Sequence, residues 1–152
     1  MRCVWGQDEA VAEWVSARIP HMAGDDFGPC RAVGVASQNG RALAGVVFSN
    51  YQPKCRSIEL SFAAETPRWL SRRLICEILA YPFDQLGCQR LTTITPRKAR
   101  PARRFLDAFG FKREGLVRKG FGDDDAVISG LLQREWLASR WVQAGTPSSG
   151  KS

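Results

Sequence analysis

Histidine is almost missing from the 152-residue chain, in which His21 stands alone. The cysteines Cys3, Cys30, Cys55, Cys76 and Cys88 are odd in number, and no two form Cys-x-x-Cys. These shortages argue against a disulfide framework and against a cysteine-rich zinc site, so no metal is expected. A cysteine nucleophile would have only His21 to serve as its base, and free, mostly buried thiols are the simpler reading. No apolar run approaches the about 18 residues that a membrane span needs. Asp8 and Glu9 stand where a signal peptide would carry its apolar core. The expectation is a soluble cytoplasmic protein without a membrane partner. Acidic residues are scarce: 15 against 22 lysines and arginines, for a net charge of +7. Such a surplus predicts an anionic partner, whether nucleic acid, an acidic membrane surface or a phosphorylated small molecule. The length suits one domain, and 44% hydrophobic with 24% charged residues excludes general disorder.

The apolar periodicity divides the chain into alternating elements. Asp8 is a candidate N-cap, and Val11, Trp14, Val15 and Ile19 fall on one helical face that Pro20 closes. Residues 21–30 read as a loop. Two β runs, 31–38 and 41–50, flank Asn39-Gly40, which predicts a tight type I′ hairpin turn. A third strand spans about 55–64, with Ile58, Leu60 and Phe62 on one face. Thr66-Pro67 predicts the start of a helix striped by Leu70, Leu74 and Ile78, and Pro82 predicts its kink or end. Residues 89–95 form a β-branched strand, and Pro101 opens a helix that Gly110 terminates. Strands near 111–119 and 125–133 precede a helix over 134–142. The predicted fold is therefore α/β: a single domain over 1–142 with a mixed, mostly antiparallel central sheet flanked by helices. The Gly/Pro/Ser-rich tail, 143–152, is expected to be flexible.

Three stretches carry a family resemblance. They are Thr66-Pro67-Arg68-Trp69-Leu70-Ser71-Arg72-Arg73, Lys98-Ala99-Arg100-Pro101-Ala102-Arg103-Arg104-Phe105-Leu106 running into Phe109-Gly110-Phe111, and Glu114-Gly115 followed by Asp125-Ala126-Val127-Ile128-Ser129-Gly130-Leu131-Leu132. Over about residues 30–137 the chain resembles the GNAT superfamily of N-acetyltransferases. Its second half looks like the branch that includes ribosomal-protein N-terminal acetyltransferases and their phage-encoded relatives.

The resemblance implies acetyl-CoA as donor, an amine as acceptor and direct attack in a ternary complex. It implies that the start of a helix offers N–H groups to the cofactor's pyrophosphate. The family's Q/R-x-x-G-x-G/A positions correspond here to Thr66, Pro67, Arg68, Trp69, Leu70 and Ser71, so Trp69 replaces the first glycine. Arg68, Arg72 and Arg73 are candidate substitutes as direct phosphate ligands. Arg100 stands where the family usually has asparagine, and with Arg103 and Arg104 it is a candidate phosphate contact. The resemblance further implies that backbone N–H groups at Phe62, Ala63 and Ala64 hold the pantetheine arm like an added strand. Candidates for proton transfer are Glu59 and Glu65 on the third strand and His21 in the loop that walls the acceptor site. Glu59 has the opposite parity to Ile58 and Leu60 and belongs to the other sheet face. Asp107 stands where many members carry a proton-donating tyrosine. Of the two tyrosines, Tyr81 suits the core and Tyr51 is a lesser candidate for the acceptor cleft.

The resemblance leaves the acceptor open among peptide, protein and small-molecule amines, and a homodimer stays open. A GNAT-fold protein that binds CoA without transfer is one alternative, motivated by the lost glycine. A basic nucleic-acid-binding module is another, but no zinc-finger or basic-zipper motif supports it. The charge itself is localised. Residues 97–119 hold nine basic and two acidic side chains, which accounts for the whole surplus of +7.

Overall fold

Two glycines prepare the sheet for its first helix. Gly34 on strand β2 (Cys30–Ala36) lies directly opposite Gly45 on strand β3 (Ala42–Gln52). A Cβ at Gly45 would come within 2.6 Å of Val15 Cγ2, and one at Gly34 within 3.3 Å of Val11 Cγ2. Helix α1 (Asp8–Arg18) therefore rests on bare backbone at this point, and Val15 packs with Ala32 and Val47 beneath it. Asp8 does not cap the helix. Gln7 takes that position, and the Asp8 carboxylate accepts the N–H of Ala32 at 2.8 Å, pinning helix to strand.

The molecule is a computed structural model that describes residues 1–22 and 25–143. The expected flexible tail falls, from residue 144 onward, outside the described residues. The remaining elements are strands β1 (Arg2–Val4), β4 (Ser57–Ala64), β5 (Arg90–Pro96), β6 (Lys112–Val117) and β7 (Ala126–Leu132). The helices are α2 (Arg72–Ala80), α3 (Arg100–Phe109), α4 (Gln133–Leu137) and α5 (Arg140–Gln143). All seven strands form one sheet in the order β1-β2-β3-β4-β5-β7-β6. Every neighbouring pair is antiparallel except β4 and β5. The predicted α/β class and mostly antiparallel sheet therefore hold.

Alternation assigns the two faces. Val47 packs under α1, and its neighbours Val46 and Phe48 face the main core with Leu74, Ile78 and Phe83 from α2 and its extension, and with Leu106 and Phe109 from α3. Trp69 lies in the same core, only 2% exposed. Among the described residues, no helix is long and apolar enough to cross a membrane.

Four further local expectations need correction. Strand β1 was not anticipated. The hairpin between β2 and β3 lacks a type I′ turn. Asn39 does not take a positive φ; the N–H of Gly40 bonds to the Ser37 carbonyl at 3.0 Å, and Gly40 alone goes left-handed at φ +86°. The helix expected from Thr66-Pro67 is only a 3₁₀ turn, Pro67–Trp69, which Thr66 caps. The α-helix starts at Arg72 with Ser71 as its N-cap. The expected helix over 134–142 is divided into α4 and α5. Pro82 acts as expected: regular α geometry ends at Ala80, and a π turn follows over Tyr81–Gln85.

Candidate active site

Strands β4 and β5 pair over only three residues each, Ser57–Glu59 with Arg90–Thr92. Beyond Glu59 and Thr92 they diverge. Their separation opens a cleft of about 580 Å³ that runs through the sheet. On the α1 side it is walled by Arg18 and the following turn, Ile19–Met22. On the other side it is walled by the start of α3, through Pro101, Ala102 and Phe105.

The strand edges facing this cleft follow from pairing parity. The Glu65 N–H bonds to the Leu43 carbonyl at 2.9 Å, which fixes Glu65 and Leu43 as a hydrogen-bonded pair. Hydrogen-bonded pairs recur every second residue in an antiparallel ladder. Ala63 and Ser61, opposite Gly45 and Val47, therefore direct their peptide groups toward β3. Leu60, Phe62 and Ala64 direct theirs into the cleft. The bond from the Arg97 N–H to the Asp125 carbonyl, 2.8 Å, sets the same register on β5. The Thr92 peptide groups consequently close the β4–β5 ladder, and those of Ile94 and the Pro96 carbonyl face the cleft from the other side. Two unpaired strand edges oppose one another. Of the three positions expected to offer backbone N–H groups here, Phe62 and Ala64 do so and Ala63 does not.

The cleft also contains hydroxyls without protein partners. Thr93 is 1% exposed and lines the cleft, yet its Oγ1 makes no hydrogen bond, and the buried Thr95 Oγ1 makes none either. Burying an unpaired hydroxyl costs about 1–3 kcal/mol. Both threonines share the core-facing parity of Leu91 on β5. Two hydroxyls at core-facing positions of a strand, where apolar side chains are the rule, are the signal that the sequence carries for this cleft.

His21 and Glu65 both line the α1 end of this cleft. Burial lowers the His21 pKa, which favours the neutral imidazole. Its ring meets that of Phe121, from the loop between β6 and β7, with centroids 4.1 Å apart. The Glu65 carboxylate binds the Arg18 guanidinium at 3.0 Å and Arg41 at 3.4 Å. The hydrogen bond from Arg18 does most to hold its pKa below the ordinary carboxylate value, and Arg41 adds to it. Glu59 is elsewhere. It has the predicted parity, but it accepts a hydrogen bond from Asn50 Nδ2 at 2.7 Å and does not line the cleft. Tyr51 is 42% exposed and also lies outside the lining.

The stretch expected to hold the pyrophosphate is largely committed to its own structure. The Trp69 indole is packed among Phe62, Phe105 and Phe109 at centroid distances of 6.3–6.4 Å. It is a core anchor, and its side chain does not front the cleft. The Arg68 N–H bonds to Thr66 Oγ1, that of Leu70 to the Pro67 carbonyl, and that of Ser71 to the Trp69 carbonyl. Ser71 Oγ caps the Leu74 N–H. The N–H groups of Arg72 and Arg73 sit in the first turn of α2, where no intrahelical acceptor exists. The Arg73 side chain points away toward the N-terminus and donates to the Met1 carbonyl at 2.8 Å.

Arg100 and Arg103 are brought together with Arg97, Lys98, Arg113 and Lys119 in a second, polar pocket of about 500 Å³ beside the start of α3. Its acids are mostly occupied in shaping the loop. Asp124 accepts the Lys98 N–H, and Asp125 accepts the Lys119 N–H. The Arg103 Nε is buried without a partner. Arg104 is exposed and lies outside this pocket. Among the described residues, no cluster of His, Cys, Asp and Glu could hold a metal ion.

A seven-stranded sheet split between its fourth and fifth strands, with helices on both faces, is the architecture of the GNAT acetyltransferases. Several of the similar solved structures are forms of one enzyme. The chain superposes on a point mutant of the spermidine N-acetyltransferase SpeG from Vibrio cholerae with a TM-score of 0.61 and 21% identity, over 73% of this chain and 70% of that one. A chimera of Vibrio cholerae SpeG and hSSAT gives a TM-score of 0.71 at 16% identity, over 91% of this chain and 100% of that one. A dodecameric SpeG in an intermediate state gives 0.62 at 20% identity, over 73% and 69% respectively. At such identities the likeness is one of fold. No protein-family model matches the chain, and no curated protein matches it in sequence.

Proposed function

We propose that the protein transfers the acetyl group of acetyl-CoA to a primary amine. The observation that carries this reading is the cleft between β4 and β5, with its two facing unpaired edges and the orphan hydroxyls of Thr93 and Thr95. An extended ligand rich in amides satisfies both features, and the pantetheine arm of acetyl-CoA is such a ligand. Phe62 and Ala64 would pair with that arm as an added strand. The N–H groups of Arg72 and Arg73 and the basic pocket around Arg100 and Arg103 would take the phosphates.

Acetyl-CoA supplies the activated acetyl group as a thioester. The amine attacks the thioester carbonyl, the C–N bond forms, the C–S bond breaks, and CoA leaves as its thiolate. The amine must enter this step neutral, so a group at the acceptor end must take its proton. His21 fits this role: it lines the α1 end, and burial keeps it neutral. Glu65 does not fit, because two guanidiniums hold its carboxylate in the weakly basic form. Glu59 does not fit either, because it lies outside the cleft lining and is held by Asn50. The proton that the nitrogen gives up as the C–N bond forms is the one the leaving thiolate regains, and the hydroxyls of Thr93 and Thr95 are available to hydrogen-bond the cofactor's polar atoms. The resemblance to the ribosomal-protein branch favours a peptide or protein amine, and the fold of SpeG favours a small amine. A cytoplasmic location and assembly into a homodimer or larger form belong to the same proposal.

Acetyl-CoA, offered with a panel of peptide N-termini and small amines, is expected to release free thiol, and CoA is expected to raise the melting temperature. No turnover and no thermal shift would remove this reading. Thermal shift without turnover would favour a CoA-binding protein that does not transfer.

A further inference from the structure

The acceptor end of the cleft has a charge pattern that selects its substrate. Among the described residues, Glu65 is the one carboxylate in the cleft lining. It is already shared between Arg18 and Arg41. Arg18 cannot easily release it, because its guanidinium lies 3.7 Å from the centre of the Trp14 ring and donates to the Trp14 carbonyl at 3.1 Å. The three side chains leave one net positive charge at the rim. Around them the wall is apolar: Ile19, Pro20 and Met22 on one side and Ile94 on the other, with the Phe121 ring against His21. Asp26, on the same loop, accepts the N–H of Gly28, while Asp124 and Asp125 bind the peptide groups of the β6–β7 loop.

On the reading that this is the acceptor end of an acetyltransferase, we infer that the acceptor is a monoamine on an apolar body, and that polyamines are excluded. A polyamine brings ammonium groups beyond the one that reacts. Each needs a free carboxylate when it leaves water. The rim instead offers a guanidinium pair whose excess charge repels it. A monoamine sheds its only charge before attack and leaves an apolar body against Ile19, Met22 and Ile94. Arg18, Glu65 and Arg41 thus act as a specificity filter, set by neutralising the one carboxylate in the described cleft lining.

The test compares phenethylamine with spermidine as acceptors, at fixed acetyl-CoA, with CoA binding measured on the same protein by calorimetry. Phenethylamine is expected to be preferred by about tenfold or more in kcat/KM, in line with the cost of placing like charges together. Equal or better use of spermidine would overturn the inference and leave the acetyltransferase reading intact. CoA binding with turnover of neither amine would also overturn it. Absence of both CoA binding and turnover would instead remove the acetyltransferase reading on which it rests. The Arg18→Gln/Arg41→Gln double variant frees Glu65 and is expected to lower the preference ratio several-fold. The Arg41→Gln variant alone, at a side chain 72% exposed, should lower it less. A ratio unmoved by both variants would overturn the role of the filter.

Discussion

His21, at the α1 end of the cleft, is met by Phe121 from the β6–β7 loop, their ring centroids 4.1 Å apart and their planes tilted by 36°. His21 arrives on the turn after α1, and Phe121 on the loop between the last two strands. The elements that present them are therefore independent, and the contact joins the two halves of the sheet across the mouth. Such ring pairs contribute about 0.5–1.5 kcal/mol beyond their buried area. The Phe121→Ala substitution is expected to raise KM for the amine by up to about tenfold, the equivalent of that energy. CoA affinity should be unchanged, because Phe121 is not among the residues that line the cleft between β4 and β5. Steady-state kinetics beside calorimetry checks both halves of this prediction.

The lowered His21 pKa sets the sign of the pH profile. A base acts in its deprotonated form, and desolvation by burial disfavours the imidazolium. The acid limb of kcat/KM should therefore lie below the ordinary histidine value of about 6.5, with a plateau above it. The His21→Gln variant should lose this limb. Retention of the same limb in that variant would assign proton transfer to another group.

Trp69 stands where the family resemblance predicts a glycine, and the structure gives a stability reason. It is 2% exposed and supports Phe62, Phe105 and Phe109. Phe62 in turn lies on the β4 edge of the cleft. Trp69→Gly, the change toward the family pattern, is expected to destabilise the fold by about 3–5 kcal/mol or more, as large aromatic deletions do. It should weaken CoA binding rather than improve it, since Phe62 loses its support. Urea unfolding and calorimetry on the same variant would expose the opposite outcome.

The strands and their faces were legible because alternation is a local property. Ile58, Leu60 and Phe62 point where period two puts them, and the helical spacing of Val11 and Val15 places α1 against β2 and β3. The opening of the cleft was not legible in the same way. It depends on where the ladder between β4 and β5 stops, and no residue type at Glu59 or Thr92 marks that point. The helix start at Thr66-Pro67 was misplaced because a cap followed by proline suits a 3₁₀ turn as well as an α-helix, and Ser71 supplied a second cap five residues on. Among the candidate site residues, His21, Glu65, Phe62 and Ala64 do meet at the cleft. Glu59 failed to, because its partner Asn50 takes it aside. The resemblance identified the stretches, but only the tertiary contacts show that Trp69 had become a core residue.

The basic surplus provides the last prediction. Arg100 and Arg103 share a pocket with Arg97, Lys98, Arg113 and Lys119, and two of the three aspartates there, Asp124 and Asp125, accept backbone N–H groups of the loop. Asp125 also pairs with Arg97 at 3.5 Å, but six basic side chains against three aspartates leave the lining with an excess of positive charge. Arg103 adds a buried Nε without a partner. If the pocket holds a phosphate of the cofactor, Arg100→Glu/Arg103→Glu should weaken CoA binding by about tenfold or more, because hydrogen bonds between charged groups contribute about 1.5–3 kcal/mol each. The loss should shrink as salt rises, since exposed charge interactions are screened within about 10 Å at 0.1 M. Reversal at Arg104, exposed and outside the pocket, should have a much smaller effect. Calorimetry of CoA with the two variants at two salt concentrations separates these cases. Equal losses from Arg104→Glu and from the pocket pair would mean that only general charge matters, and unchanged CoA affinity with lost nucleic-acid binding would assign the patch to a polyanion instead.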